Sequence, residues 1–308
     1  MNLSAAPMVS VVIPAFNAGS HIGRLLGSLV SGDYPRDLLE IIVVDNGSSD
    51  DTTDVVRRYP VRLLTETALH NPGTARNAGV RQVKGEVIAF IDADCFATKN
   101  WITAALAVMR DKDADMVAGK IQWEYSTPRD AAEFFDSLVH LRNDVTVPRH
   151  GTAVTANLIV RTEVFRKTGL FPEWKAGEDG AFCLRAAAAG YRMVYAENVV
   201  VAHKPRKFRS LLRKSWRVGS YYRNLCRVTG RSNAQMYSDA FGSFIPGTSS
   251  HIRRLVSERG TEEMAPFIAR MWLISYAYSV VWGSAALASN LRKSPQDVTL
   301  QRRNATDR

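Results

Sequence analysis

Cysteine is scarce in this 308-residue chain: Cys95, Cys183 and Cys226 lie far apart and form no CxxC pair. They read as free thiols of a reducing compartment, so a disulfide-built scaffold is excluded and a cytosolic location favoured. The opening residues, MNLSAAPMVS, lack a basic stretch followed by a long apolar run, so no signal peptide is expected. Neither GxGxxG nor GxxxxGK[ST] occurs, which argues against a Rossmann dehydrogenase and a P-loop enzyme. GxSxG is missing too, and no cysteine sits in an activating context, so nucleophilic catalysis finds no support. Internal repeats and low-complexity tracts are absent.

What is present is ordinary in amount and uneven in place. Hydrophobic residues make up 46% and charged residues 23%, the proportions of a folded chain. The length suits one large α/β domain plus an appendage. Net charge is +10, yet residues 1–203 carry 21 basic and 24 acidic side chains. Residues 204–231 hold ten Lys/Arg (Lys204, Arg206, Lys207, Arg209, Arg213, Lys214, Arg217, Arg223, Arg227, Arg231) and no acid. Such a block suits nucleic acid, anionic lipid or an anionic substrate, or is simply a solvated helix face.

The first half alternates between two periods. Val9–Pro14 (VSVVIP), Leu39–Asp45 (LEIIVVD), Val61–Thr65 and Glu86–Asp92 (EVIAFID) read as strands. Between them, Gly19–Ser31, Asp51–Tyr59 and the stretch from Pro72-Gly73 through Lys84 read as helices. That alternation predicts an α/β fold with a mostly parallel central sheet, helices on both faces and right-handed crossovers. Further on, the pattern predicts a helix over Asn100–Lys112, a strand over Ala114–Ile121, a helix over 129–145 and a strand over Thr152–Val160. A loop, Phe171–Asp179, then opens a helix at Gly180–Ala189, and Tyr191–Tyr195 and Asn198–Ala202 read as two short strands.

Ligands of open α/β sheets bind beyond the carboxyl ends of the strands. Three strands finish there on polar groups: Pro14-Ala15-Phe16-Asn17, Asp45-Asn46-Gly47 and Asp92-Ala93-Asp94. Paired carboxylates at a strand end suit a hard divalent cation such as Mn²⁺ or Mg²⁺, which bridges phosphates and offsets charge developing on a leaving diphosphate. A lone DxD is a weak sign, since two acids two apart fall in many loops by chance. Arg76 in TARNAG supplies a cation that could approach phosphate, and the alternative for Asp45 before Asn-Gly is a plain turn-former. Glu178-Asp179 at a helix start offers a carboxylate base for a hydroxyl, or merely a helix cap. His203 is either a metal ligand or a structural histidine.

In this order, VSVVIPAFN, IIVVDNGSSDDT, GTARNAG, EVIAFIDADC and GEDGAFCLRAAAAGYRMVY resemble the family 2 glycosyltransferases of GT-A fold, over about residues 8–203. The resemblance implies an inverting, metal-dependent, non-processive transferase that moves a sugar from a nucleotide-sugar donor to a glycan or lipid-linked acceptor. It places Pro14, Ala15, Phe16, Asn17, Asp45, Gly73, Arg76, Asp92, Ala93 and Asp94 around the donor, with Asp45 pointing to UDP. It implies Asp94 and His203 as metal ligands for Mn²⁺ or Mg²⁺, Asp179 as catalytic base, and Glu178 and Trp174 as acceptor-binding residues. The implied domains are a catalytic domain, 1–203 (donor half about 1–121, acceptor half 122–203), a basic helical extension, 204–291, and a disordered tail, 292–308. Processive relatives carry QxxRW, and Arg213-Lys214-Ser215-Trp216-Arg217 lacks the Gln.

In the extension, Phe208, Leu211, Leu212, Ser215, Gly219, Tyr222 and Leu225 share one helical face, with basic residues mostly elsewhere. That is the pattern of an interfacial membrane helix, each basic residue near an anionic leaflet adding about 1 kcal/mol. Met271–Leu291 holds no charge between Arg270 and Arg292 and is long enough to span a bilayer, to lie on it, or to pack in protein. The expected location is the cytoplasmic face of the plasma membrane. A degraded nucleotide-binding scaffold and a nucleic-acid-binding protein are the alternatives. The second finds no RNA- or DNA-binding signature.

Overall fold

The computed structural model describes residues 6–291, so the expected disordered tail lies outside the described residues. Two compact units divide between Pro205 and Arg206.

In the first unit eight strands form one sheet: β1 (Val9–Ala15), β2 (Leu39–Asp45), β3 (Arg62–Thr65), β4 (Val87–Ile91), β5 (Cys95–Ala97), β6 (Met116–Trp123), β7 (Asn157–Arg161) and β8 (Met193–His203). Its helices are α1 (Gly19–Val30), α2 (Thr52–Val56), α3 (Pro72–Val80), α4 (Trp101–Asp111), α5 (Ala131–Val139), α6 (Asn143–His150), α7 (Thr162–Thr168) and α8 (Glu178–Ala188). The strand order is β3-β2-β1-β4-β7-β6-β8-β5. β3, β2, β1 and β4 run parallel, as the βαβ alternation requires. β7 is antiparallel to both its neighbours, β6 and β8 are parallel, and β5 closes the edge antiparallel to β8.

The apolar runs of β1 and β4 are continuous because helices cover both faces. Val11, Ile13, Ala89 and Ile91 face one core with Ile22, Leu25 and Trp101, while Val12, Ile88 and Phe90 face another with Phe165, Phe171 and Phe182. In the second core Phe165 stacks on Phe182 at 4.3 Å and Phe90 meets Phe171 edge-on at 5.3 Å. Each such ring contributes roughly 1.5–3 kcal/mol by burial alone.

Three departures from sequence periodicity lie in and around the sheet's far half, each with its own local reason. The helix expected over 129–145 is two, α5 and α6, broken where Leu141 takes a left-handed φ of 51°. The strand begins at Asn157 rather than Thr152, because Val154 N–H donates to Asn143 Oδ1 at 2.9 Å instead of to a neighbouring strand. The two short strands after α8 are one, β8, with Glu197, Asn198 and Val199 looped out where pairing steps from Gly119–Ala196 to Lys120–Val200. Buried Asn157 satisfies that bulge: its Nδ2 donates to the carbonyls of Lys120 (2.9 Å) and Val199 (3.0 Å), and its Oδ1 accepts from Trp101 Nε1 (2.9 Å). Unpaired strand groups would otherwise be left in the core.

The second unit is helical: α9 (Phe208–Ser220), α10 (Tyr222–Val228), α11 (Asn233–Gly242), α12 (Ser249–Arg259) and α13 (Ile268–Leu291). The single amphipathic helix expected through Leu225 stops at Tyr221, where φ and ψ leave the helical region. Part of the apolar face of α9 is buried inside the unit, although Phe208 at its start stays exposed. Leu211, Ser215 and Gly219 are buried, Ser215 Oγ donates to the Tyr278 carbonyl at 2.5 Å, and a Cβ on Gly219 would stand 2.3 Å from the Trp282 carbonyl oxygen. Only glycine permits that approach of α9 to α13. By length and composition α13 is sufficient to cross a membrane, but within this unit it is the helix against which α9, α11 and α12 pack.

Candidate active site

The carboxyl edge of the parallel strands gathers the residues singled out by sequence. After β1, Asn17 takes a left-handed φ of 49°, its N–H donating to Ser48 Oγ and its Oδ1 accepting from Ser49 N–H, both at 2.9 Å. The loops after β1 and β2 are thereby tied into one wall. Pro14 and Ala15 end β1, and the Phe16 ring stands exposed beside them. Asp45 ends β2 buried, and its carboxylate accepts the N–H groups of Gly47 (3.2 Å) and Ser48 (3.2 and 3.3 Å). It forms the turn, whatever else it binds.

Arg76 lies in α3, whose start is set by Asn71 capping Thr74 N–H at 2.7 Å with Pro72 at the first helical position. Gly73 lets the loop before α8 close on this end, since a Cβ there would lie 2.8 Å from the Pro172 carbonyl oxygen and 3.3 Å from Glu178 Cγ. The Arg76 guanidinium is buried and forked: Nη2 donates to Asp92 Oδ1 at 2.7 Å and Nη1 to Glu178 Oε1 at 2.9 Å. Burial pulls its pKa down, but the charges of Asp92, Glu178 and Asp179 together outweigh that and raise it above the ordinary arginine value. Asp92 and Glu178 are thus brought together across 86 residues of chain by one cation.

α8 starts at Glu178, two residues earlier than its apolar pattern suggests, after Gly177 in left-handed conformation. Asp179 is half-buried in the first turn, and its Oδ1 accepts from Gly180 N–H at 2.8 Å. Desolvation raises its pKa and the Asp92 charge adds to this, against the opposing pull of Arg76 and the Gly180 N–H. Trp174 sits half-buried on the loop just before, its N–H bonded to the Pro172 carbonyl.

Past β4, Ala93 is buried and Asp94 exposed. The short strand β5 pairs Cys95 with His203, which is 2% exposed. Neither His203 ring nitrogen makes a hydrogen bond, yet Nε2 lies 3.3 Å from Asp94 Oδ2. The Trp123 ring meets the imidazole edge-on at 5.5 Å. Ligand atoms of Asp94, Cys95 and His203 all fall within 4.8 Å of one another.

A family model, Glycosyl transferase family 2, matches residues 10–168. The chain belongs to that family. Among curated relatives, glycosyltransferase AglE of Haloferax volcanii is 28% identical over 95% of this chain and 99% of its own length. The poly(ribitol-phosphate) β-N-acetylglucosaminyltransferase TarS of Staphylococcus aureus is 28% identical over 58% of this chain, which corresponds to 32% of TarS. Among solved structures, mannosyltransferase PcManGT from Pyrobaculum calidifontis, in complex with GDP-Man and Mn²⁺, superposes with a TM-score of 0.65 at 20% identity, over 92% of this chain and 88% of that one. TarS 1–349 with UDP-GlcNAc gives 0.53 at 18% identity, over 92% and 90%. The fold is thus shared with GT-A structures, and this family 2 member is a glycosyltransferase.

Sequence reasoning passed over several residues that the fold brings to this rim. Cys95 enters the ligand group only through β5, a three-residue strand with no periodicity to read. His70 carries no spacing signal either, but its Nδ1 lies 2.9 Å from the Asn46 carbonyl and its ring 6.4 Å from that of Phe16. Asp50 accepts from Gly19 N–H at 3.1 Å and from the Thr52 hydroxyl, holding α1 and α2 at this rim.

Proposed function

We propose that this enzyme moves a sugar, with inversion, from a nucleotide-sugar donor (a UDP-sugar first) to a hydroxyl of a glycan or lipid-linked acceptor at the cytoplasmic face of the membrane. The observation that carries the reading is the Arg76 fork, which joins Asp92 to Glu178 on the carboxyl edge with the Asp179 charge beside it, while Asp94 and His203 face each other past β4. Pro14–Asn17, Asp45 and Gly73 line the donor end. Asp179 takes the acceptor proton, its raised pKa bringing it nearer to neutrality and so making it a stronger base than an ordinary aspartate. Glu178 and Trp174 border the acceptor.

The donor set fits a divalent cation. A buried imidazole with no hydrogen-bond partner, facing a carboxylate at 3.3 Å, offers a nitrogen and an oxygen to one ion. Asp94 and His203 would hold Mn²⁺ or Mg²⁺, which when bound would supply positive charge to the departing nucleoside diphosphate. The solved complexes of PcManGT with GDP-Man and Mn²⁺ and of TarS with UDP-GlcNAc support a metal and a nucleotide-sugar here. Membrane attachment is supported by the basic second unit.

A panel of UDP-, GDP- and dTDP-sugars, scored for Mn²⁺-dependent hydrolysis and thermal stabilisation, tests the reading. One donor should register with the wild type and lose its effect in Asp94→Ala and His203→Ala. If no donor registers in the presence of metal, the proposal fails.

A further inference from the structure

α11 buries Met236 and Ala240 and turns the adjoining side, about a quarter turn around the helix, to solvent. Tyr237, Phe241, Phe244 and Ile245 follow one another at helical spacing along that side and into the turn before α12. They are 42%, 61%, 36% and 73% exposed. This tip is anchored rather than loose: Trp272 Nε1 donates to the Gly247 carbonyl at 2.5 Å and the Tyr276 hydroxyl to the Phe244 carbonyl at 3.1 Å. Both anchors belong to α13, which carries the exposed Leu273 beside them. A run of large apolar side chains held outward on a braced turn is unusual for a surface that meets only water.

The charges around it select the partner. Between 206 and 291 the chain has thirteen Lys/Arg and four Asp/Glu. Exposed Arg253 and Arg254 follow the tip within the first two turns of α12, and exposed Arg270 precedes Leu273 by one turn. Asp239, the acid of α11, is neutralised by Arg231 at 2.6 Å. Two copies meeting tip to tip would bring these cations together, whereas an anionic bilayer attracts them and receives the apolar rings. Aromatic side chains favour that boundary.

We propose that the α11–α12 tip, with Phe241, Phe244 and Ile245 at its crest, inserts into an anionic phospholipid surface. This rests on the membrane location proposed above but moves the point of insertion away from α9, whose Ser215 and Gly219 already lie against α13.

The test is co-sedimentation of the full chain with phosphatidylcholine vesicles, with and without about one-third phosphatidylglycerol. Three forms are compared: wild type, the triple variant Phe241→Ser/Phe244→Ser/Ile245→Ser, and Arg253→Gln/Arg254→Gln. The wild type should partition onto the anionic vesicles. The triple variant should lose roughly tenfold or more, as expected for withdrawing three large apolar side chains, with its thermal midpoint and oligomeric state unchanged. The arginine variant should lose the preference for anionic over neutral vesicles. If the wild type binds neither vesicle, the membrane location itself is wrong and the tip proposal goes with it. If the wild type binds and the triple variant binds equally, the location stands and the tip proposal is overturned. A dimeric wild type that becomes monomeric in the triple variant without change in vesicle binding assigns the tip to a second copy instead.

Discussion

Removing the guanidinium of Arg76 takes from buried Glu178 its 2.9 Å ion pair and leaves Asp92 facing Asp179 unscreened. Arg76→Ala should therefore cost about 3–5 kcal/mol of stability, the range for breaking a buried ion pair from one side. Arg76→Lys should recover only part of it, because one ammonium does not reproduce a fork to two carboxylates. Denaturant melts of both variants read this directly; an Arg76→Ala protein as stable as the wild type contradicts the buried fork. Asp179 behaves in the opposite sense. Its folded-state pKa lies above the ordinary aspartate value of about 3.9, so the folded state holds this proton more tightly than the unfolded chain. Below the ordinary value both states are protonated and nothing is lost. As pH rises through the folded-state pKa, the ionised carboxylate costs stability. Asp179→Asn should be more stable than wild type at neutral pH, with the advantage disappearing in acid, while turnover falls about 10²–10⁴-fold. Wild-type activity should drop as pH falls through that same raised pKa, since only the carboxylate accepts a proton.

At the scale of elements, α3 and the loop before α8 meet at Gly73. A methyl group there contacts the Pro172 carbonyl at 2.8 Å, so Gly73→Ala should cost roughly 1–3 kcal/mol by overpacking and reduce donor-dependent stabilisation by shifting Glu178. Full activity with an unchanged melting temperature would show that the loop yields freely. The parallel half of the sheet was legible because β1, β2 and β4 announce themselves by continuous apolar runs, each ending on the polar residues of the site. The other half was not. β5 is too short to have a period, and β8 crosses a bulge that only buried Asn157 makes tolerable, so its sequence reads as two strands. His203 was visible as a strand-end histidine, but its neighbours Cys95 and Trp123 come from β5 and β6 and are brought to it only by pairing. α9 shows the converse. Its amphipathic pattern is plain in the sequence, yet the helix ends at Ser220, and Ser215 and Gly219 of its apolar face meet α13, a partner that periodicity does not name.

For the whole molecule, the net charge of +10 resides in the second unit, while the residues up to 203 carry a slight acidic excess. Electrostatic attraction of the second unit to an anionic surface should weaken as the Debye length shrinks from about 10 Å at 0.1 M salt to about 3 Å at 1 M. Vesicle partition of the wild type measured across that range should fall steeply, and a salt-independent partition excludes the electrostatic contribution. The first unit has the reverse problem at its rim. Four carboxylates (Asp92, Asp94, Glu178 and Asp179) stand on that edge, and the buried Arg76 guanidinium pairs with two of them, so a diphosphate approaching alone meets like charge. A cation and a nucleotide must then assist one another's entry by an identical factor, since the coupling between two ligands is reciprocal. Calorimetric titrations of UDP with and without Mn²⁺, and of Mn²⁺ with and without UDP, should close that cycle. The enzyme would then sense the two ligands as a pair, responding weakly to either one in the absence of the other.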